Sequence, residues 1–288
     1  MINYSRKIIL LMVMSFFIAA CAPTLTPAAA VGTVPPAYSA TVAGSAGEAP
    51  ATTITLPQTL TPEDVGLVSP ALEQYMQNTL QADLWARPEL SPRDRSIVTV
   101  AALIARDQVI DMPYHFELAL DNGVTPGELS EIITHLAFYS GWPNAMSGVA
   151  VAQAIFAQRS IETDQLPVAA PELLPLNEEA EAQRAAIVGQ TVGPISPGLD
   201  QYTTELLFRD LWLRPDLAPR DRSLATFSAL AASGHVDQIS FHLSRAMDNG
   251  LTQAEAGEVL TQLAFYAGWP NAFSAVPIVQ GVFESRAD

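Results

Sequence analysis

An internal duplication at a fixed offset of 127 residues constrains the fold of this chain more than any other feature. Residues 83–96 read DLWARPELSPRDRS and residues 210–223 read DLWLRPDLAPRDRS. Likewise, LAFYSGWPNA at 136–145 returns as LAFYAGWPNA at 263–272. A solenoid usually needs three or more repeats, so two copies predict two compact modules that pack as a pseudo-dimer. We place the modules at 59–160 and 189–288, joined by a linker at 161–188.

Each module has the pattern of an all-α domain. Ser91-Pro92-Arg93-Asp94 is typical of a helix start, with a capping serine, a proline in the first turn and an acid at the third position. The segment that follows, Ile97 to Ala105, is apolar almost all round, which predicts a central, buried helix. Alternating strand-like patterns are scarce. Further helices are predicted at 113–121, 125–139 and 145–159, with Trp142, Pro143 and Asn144 forming a turn before the last.

The charge balance limits the possible partners. A formal charge of −16 argues against nucleic acid, whose recognition needs basic patches, and against electrostatic attraction to anionic lipid. The only lysine is Lys7 and the only cysteine is Cys21. If the start of the chain is removed, Schiff-base chemistry is therefore excluded from the mature protein, because no lysine remains.

The first residues are typical of an export signal. Arg6 and Lys7 precede a run from Ile8 to Ala20 that is apolar apart from Ser15, and this run is too short for a comfortable membrane span. It ends Ile18-Ala19-Ala20-Cys21, which resembles a bacterial lipobox. We therefore predict a lipoprotein signal peptide at 1–20, lipidation of Cys21, a disordered tether at 21–58 rich in Ala, Thr, Pro, Gly and Ser, and anchoring to the cell envelope. The alternative is an ordinary signal peptide cut near the alanines.

Several linked motifs, present twice and in order, resemble modules of the carboxymuconolactone decarboxylase family. They are the Trp-x-Arg-Pro-x-Leu-x-Pro-Arg-Asp-Arg-Ser start, the His-x5-Asp-Asn-Gly segment, the Thr-x-x-Glu-x-x-Glu helix and the Tyr-x-Gly-Trp-Pro-Asn-Ala turn. The resemblance implies the small helical fold shared with alkylhydroperoxidase-D-like proteins. It also implies a homo-oligomer, here a trimer of pseudo-dimers.

The peroxidase branch of that fold uses a Cys-x-x-Cys pair and a glutamate. The cysteine positions fall on Gln108 and Asp111 in the first module and on His235 and Gln238 in the second. The glutamate position falls on Ser96 and Ser223. Without a thiolate there is no nucleophile for a peroxide, so a peroxidase-related antioxidant role is the least favoured reading.

The decarboxylase branch, by resemblance, needs no cysteine and no cofactor, and an acid–base histidine and a carboxylate-holding arginine suit its chemistry. Candidate catalytic residues are His115, His242, Glu131, Glu258 and His135. Candidate substrate-binding residues are Arg93, Arg95, Arg220, Arg222, Trp142 and Trp269. Structural alternatives remain open: the histidines as core residues bonded to backbone, the arginines as ion pairs at the helix start, and Glu128 and Glu255 as capping-box acids.

These observations predict a cofactor-independent lyase or isomerase acting on a small carboxylated lactone or related acid. The alternative is a non-catalytic binding or assembly module on the same fold. No metal site is expected, because the four histidines do not form a His-x3-His pair within either module.

Overall fold

The repeated motifs form matching helices in the computed structural model, which describes residues 60–287. The first module contains α1 (Pro62–Val68), α2 (Pro70–Tyr75), α3 (Pro92–Ala105), α4 (Met112–Asp121), α5 (Pro126–Ser140) and α6 (Trp142–Gln158). Helix α7 (Glu178–Thr191) follows, and then α8 (Pro197–Tyr202), α9 (Pro219–Ala232), α10 (Ile239–Asp248), α11 (Gln253–Ala267) and α12 (Trp269–Ser285). No strand occurs between residues 60 and 287, so the all-α prediction is confirmed. The predicted signal peptide, Cys21 and the tether lie outside the described residues.

The central pair of helices is α3 and α9, which pack against each other along much of their length. Every residue of α3 from Asp94 to Ile104 is buried, as the continuous apolar pattern predicts. Helix α11 of the second module packs on α3, and α5 of the first module packs on α9. The two modules are therefore joined by exchanged helix contacts around α3 and α9, and they form the predicted pseudo-dimer.

Local sequence signals fix the helix starts. The Ser91 hydroxyl accepts a hydrogen bond from the Asp94 amide at the start of α3. Thr125 and Glu128 form a reciprocal capping box on α5, and Thr252 and Glu255 form the same box on α11. The capping role predicted for both glutamates is confirmed.

The turn between α5 and α6 differs from the prediction. Gly141 adopts φ of 90°, a left-handed conformation that favours glycine, and it alone separates the two helices. Trp142, Pro143 and Asn144 already belong to the first turn of α6 rather than to the loop. Proline is accommodated there because the first turn of a helix does not use its N–H groups.

The segment between the modules is partly helical and is packed on the second module. Helix α7 occupies the end of the predicted linker and continues past it. Before α7, the Leu174 amide donates to the Leu213 carbonyl at 2.7 Å. The guanidinium of Arg214 donates to the carbonyls of Val168 and Ala169. The linker therefore covers part of the second module.

Candidate functional site

The starts of α3 and α9 meet at an ion-pair network between the modules. Arg93 contacts Asp221 at 2.8 Å and Glu128 at 2.5 Å. Its counterpart Arg220 contacts Asp94 at 2.9 Å and Glu255 at 2.7 Å. Each guanidinium is thus shared between a carboxylate of its own module and one of the other. The sequence predicted that Arg93 and Arg220 bind substrate. In the structure their ion pairs join the two modules.

Two residues further along α3 a buried polar network begins. Arg95 is fully buried, and its guanidinium donates to Glu258 at 2.7 Å and to the side-chain oxygen of Gln262 at 2.9 Å. Gln262 in turn donates to the Thr99 hydroxyl at 3.0 Å. Burial opposes ionisation of Glu258, but hydrogen bonds from Arg87 and Arg95 hold its pKa below the usual value. The carboxylate is therefore charged and fully engaged.

The pseudo-symmetric network on α9 contains a histidine where the first contains Gln262. Arg222 is fully buried and donates to Glu131 at 3.0 Å. His135 lies 2.7 Å from the Thr226 hydroxyl through Nε2, and 3.4 Å from Arg222 through Nδ1. The Nη atoms of Arg95 and Arg222, like the guanidinium groups of Arg93 and Arg220, are thus already engaged by protein groups, which argues against their use as substrate anchors.

Beside each network lies a cluster of aromatic rings around a histidine. In the first, which we call the His115 site, His115 contacts Trp85, Tyr114 and Tyr266, with ring centroids 5.0 to 6.0 Å apart. The Trp85 indole donates to the Tyr266 hydroxyl at 2.9 Å. Because Tyr266 belongs to α11, the site combines both modules.

The second cluster, the His242 site, repeats this arrangement. His242 contacts Trp212, Phe241 and Tyr139 at 5.0 to 5.9 Å. The Trp212 indole donates to the Tyr139 hydroxyl at 2.8 Å. His135 joins this site, since its ring contacts both Tyr139 and Trp212 at 4.9 and 5.0 Å. The structure thus brings His242 and His135 together, whereas the His115 site has only one histidine.

The central histidine of each site has a buried ring nitrogen that no described residue uses. His115 and His242 are 7% and 6% exposed, and the Nδ1 atom of each is enclosed without a hydrogen-bond partner among residues 60–287. The backbone-bonded core histidine left open by the sequence is therefore not what the structure shows. Native proteins rarely leave a buried polar atom unpaired, so such an atom calls for an explanation, and a catalytic role is one.

Burial determines the protonation of both sites. It lowers the pKa of His115 to about 4 and, together with the nearby Arg245, lowers that of His242 to about 4. Burial, with Arg222, also lowers the pKa of His135. It raises the pKa of Tyr139 and Tyr266 well above the usual range. At neutral pH these sites hold neutral imidazoles beside protonated phenols, and each phenol oxygen already accepts from an indole.

The two tryptophans predicted to bind substrate, Trp142 and Trp269, lie outside both histidine sites. Trp142 packs on Phe138 and is 59% exposed, and Trp269 packs on Phe265 and is 51% exposed. Both stand at the start of a helix, on the outer surface. The tryptophans that contact the histidines are Trp85 and Trp212.

Sequence reasoning missed the aromatic members of both sites, although the signal was present. Trp85 and Trp212 occupy the same place in the two copies of the repeated DLW segment. Tyr139 and Tyr266 do so in the repeated LAFY segment. Repetition of these residues in both modules could have identified them as readily as it identified the histidines.

No group of three or more His, Cys, Asp or Glu side chains in the described part of the chain could hold a metal ion. Four exposed residues occupy the positions of the peroxidase cysteines: Gln108 and Asp111 between α3 and α4, and His235 and Gln238 between α9 and α10. Across residues 60–287 no helix is both long and apolar enough to cross a bilayer.

Comparison with known proteins agrees with this architecture. The model of the carboxymuconolactone decarboxylase family matches the chain twice, at residues 70–154 and 197–281, which together make up more than half of its length. This chain therefore belongs to the carboxymuconolactone decarboxylase family, as a tandem duplication.

Two characterised relatives are similar to parts of the chain. One is 4-carboxymuconolactone decarboxylase of Acinetobacter baylyi, 29% identical over 94 residues, which cover 33% of this chain and 70% of that protein. The other is nitrosuccinic acid decarboxylase npaB of Metarhizium robertsii, 33% identical over 70 residues, which cover 24% of this chain and 49% of that protein. Both names describe decarboxylases.

Proposed function

We propose that this chain is a cofactor-independent carboxy-lyase that acts on a small carboxylated lactone or a related acid. The observation that carries the proposal is the buried, unpartnered Nδ1 of His242, which recurs at His115. The names of the two relatives, which describe decarboxylases of a carboxylated lactone and of a nitro-substituted acid, support the reaction class.

The groups around His242 suit the steps of a decarboxylation. The bond to the departing carboxylate breaks, CO2 leaves, and the electron pair passes to a conjugated carbonyl as an enolate. The Tyr139 hydroxyl stays protonated, so it can donate its hydrogen to that oxygen and stabilise the developing charge. A proton must then reach carbon, so that one proton is consumed for each CO2 released.

In this proposal His242 supplies that proton. Its imidazole is neutral at rest because its pKa is about 4. A nearby substrate carboxylate favours the charged imidazolium and raises the pKa, so the ring takes up a proton when an acid binds and gives it to the enolate carbon. His115 is placed to act in the same way beside Tyr266.

The direct test is turnover of γ-carboxymuconolactone by the full-length chain, followed by ultraviolet loss of the lactone and by CO2 release. We expect His242→Ala to reduce kcat by at least about 100-fold, the usual contribution of acid–base catalysis. His115→Ala measures the other copy, and His235→Ala, an exposed histidine outside both sites, is the matched control. Unchanged turnover in the double variant His115→Ala/His242→Ala would refute the assignment. Absence of turnover in the unaltered chain would exclude this lactone as a substrate. Other small carboxylic acids would then be tested in the same assay.

We also propose that the chain is exported and lipid-anchored through Cys21. The support is the basic start, the short apolar run and the lipobox-like end of residues 6–21. Incorporation of labelled palmitate into the chain in a bacterial host, absent in Cys21→Ser, is the expected result. Equal labelling of both chains would exclude lipidation at this cysteine.

Assembly into a trimer of pseudo-dimers is a further proposal, drawn from the family resemblance. Its structural support is a stripe of exposed apolar side chains that recurs at matching positions of α6 and α12. The stripe comprises Trp142, Met146, Val149, Trp269, Phe273 and Val276. Sedimentation equilibrium should give three times the mass of one chain, and Met146→Glu/Phe273→Glu should reduce it. A single-chain mass for the unaltered protein would contradict this assembly.

A further inference from the structure

A cavity of about 370 Å³ lies in the second module, between α7, α10 and the turn that carries Trp212. This volume is within the usual range of small-molecule sites, roughly 300–1,000 Å³. Its apolar walls include Phe208, Trp212 and Phe241. Two arginines also line it, Arg184 from α7 and Arg245 from α10. His242 is not among the lining residues, but its ring packs on Trp212 and Phe241.

Both arginines have hydrogen-bonding capacity that the protein does not use. Arg184 is 8% exposed and pairs with Glu181 through two hydrogen bonds of 2.8 Å, but its Nη1 atom is buried without a partner. The side chain of Arg245 makes no hydrogen bond or ion pair with any residue between 60 and 287, and its Nε atom is buried. Its guanidinium instead lies 4.2 Å from the centre of the Trp212 ring. Stacking satisfies the face of a guanidinium and leaves the N–H groups at its edge free to bind an anion.

The charged groups that line the cavity balance, although the chain as a whole is acidic. The chain carries a formal charge of −16, whereas the lining contains two arginines, Arg184 and Arg245, and two carboxylates, Glu181 and Asp248. Glu181 is already engaged by Arg184 and Asp248 by Arg286, and no carboxylate of residues 60–287 forms an ion pair with Arg245. A partly buried cation without a counter-ion is costly, and a bound anion would remove that cost.

The second module alone has these groups among the described residues. The position of Arg245 is taken by Leu118 in the first module, and that of Phe208 by Gln81. Arg245 and Phe208 therefore distinguish the second module from the first, and the shared fold does not require them.

We propose that Arg184 and Arg245 form a carboxylate-binding site in the second module, which takes a small acid with a planar, apolar body. The arginine edges bind the carboxylate by charge-assisted hydrogen bonds, and Phe208, Trp212 and Phe241 enclose the body. The identity of the natural ligand rests on the proposed function. Binding itself is measured without turnover, so the two proposals can fail separately.

The test is calorimetric titration of the full-length chain with benzoate and with benzamide, its uncharged equivalent in shape. We expect benzoate to bind at least about tenfold more tightly than benzamide, in line with the strength of hydrogen bonds to charged groups. Arg245→Leu, which introduces the residue that the first module has, should weaken benzoate binding to the benzamide level. Arg159→Leu, which removes a surface arginine paired with Glu117 and Asp121, is the matched control and should leave binding unchanged.

The outcomes separate the possibilities. Equal affinity for benzoate and benzamide in the unaltered chain, no benzoate binding at millimolar concentration, or benzoate binding that survives in a folded Arg245→Leu chain, would each overturn the site. Sulfate that competes as strongly as benzoate would overturn the assignment to carboxylates. The benzamide comparison needs no variant, so it decides the question even if Arg245→Leu fails to fold. Benzoate binding that depends on Arg245 in a chain without turnover would support the site while the proposed function failed.

Discussion

Mild acid should destabilise this fold through the two buried histidines. The pKa of His115 and His242 is about 4 in the folded chain and about 6.5 in the unfolded chain. Between these values the unfolded state binds protons that the folded state does not. The free energy of unfolding therefore falls as the pH is lowered from about 6.5 to about 4.

The magnitude follows from the two pKa values. At pH 7 the histidines are mostly neutral in both states. Their difference in proton binding therefore lowers the free energy of unfolding by only about 0.2 kcal/mol per histidine. At pH 5 nearly every unfolded imidazole is protonated while nine in ten folded ones are not, and the cost rises to about 2 kcal/mol each. The two histidines together should remove between 3 and 4 kcal/mol, roughly, between pH 7 and pH 5, a large part of the 5–15 kcal/mol typical of a folded protein.

The assay is urea unfolding of the full-length chain at pH 7 and pH 5, monitored by circular dichroism at 222 nm. The comparison variant is His115→Gln/His242→Gln, whose side chains do not titrate in this range. We expect its loss of stability between the two pH values to be smaller than that of the unaltered chain by about 3 to 4 kcal/mol. Using the difference between the chains cancels the contribution of carboxyl groups and of His135.

An equal loss in the two chains would refute the reasoning, because it would mean that His115 and His242 charge as readily in the folded state as in the unfolded one. Single variants then locate the effect. His242→Gln alone should recover about half of the difference, since each site is closed to solvent to a similar degree. His235→Gln, at an exposed position, should recover none of it.

Two further predictions concern the buried polar networks. Glu258→Leu leaves Arg95 buried without its carboxylate and should lower the free energy of unfolding by about 3–5 kcal/mol, whereas Asp248→Asn, in an exposed pair, should cost less than about 1 kcal/mol. Similar urea midpoints for these two variants would contradict the contrast. His135→Gln should cost less than about 1 kcal/mol, because Gln262 occupies the equivalent place and bonds the equivalent partners. A loss above about 3 kcal/mol would show that the two networks are not interchangeable.

The helices were predictable because their determinants are local. The capping residues of α3, α5 and α11 and the glycine at 141 act on the backbone within a few residues of themselves. The apolar run after Asp94 could be assigned to the core for the same reason. Only the start of α6 was wrong, since Trp142 and Pro143 were assigned to the turn. Proline is compatible with both interpretations, because neither a loop nor the first turn of a helix requires a backbone N–H group at its position.

The candidate site was only partly predictable because it is built from both modules. The duplication identified His115 and His242, but spacing along one module cannot show that Tyr266 of the other lies against His115. Nor can it show that Glu258 neutralises Arg95 across the pseudo-dimer. The arginines predicted to bind substrate are already engaged in such contacts between modules. Those contacts depend on how α3 packs against α9, which no local pattern encodes.

The differences between the two copies bear on which of them binds substrate. Duplication first yields two identical sites, and a single chain that needs only one can lose the other while keeping the packing. The His242 site has His135 beside it and Arg245 on its tryptophan. The corresponding positions of the His115 site hold Gln262 and Leu118, which have neither charge nor acid–base capacity. In our proposal, the groups that recognise an acid are therefore those of the second module. We expect turnover and carboxylate binding to follow His242 and Arg245 rather than their counterparts.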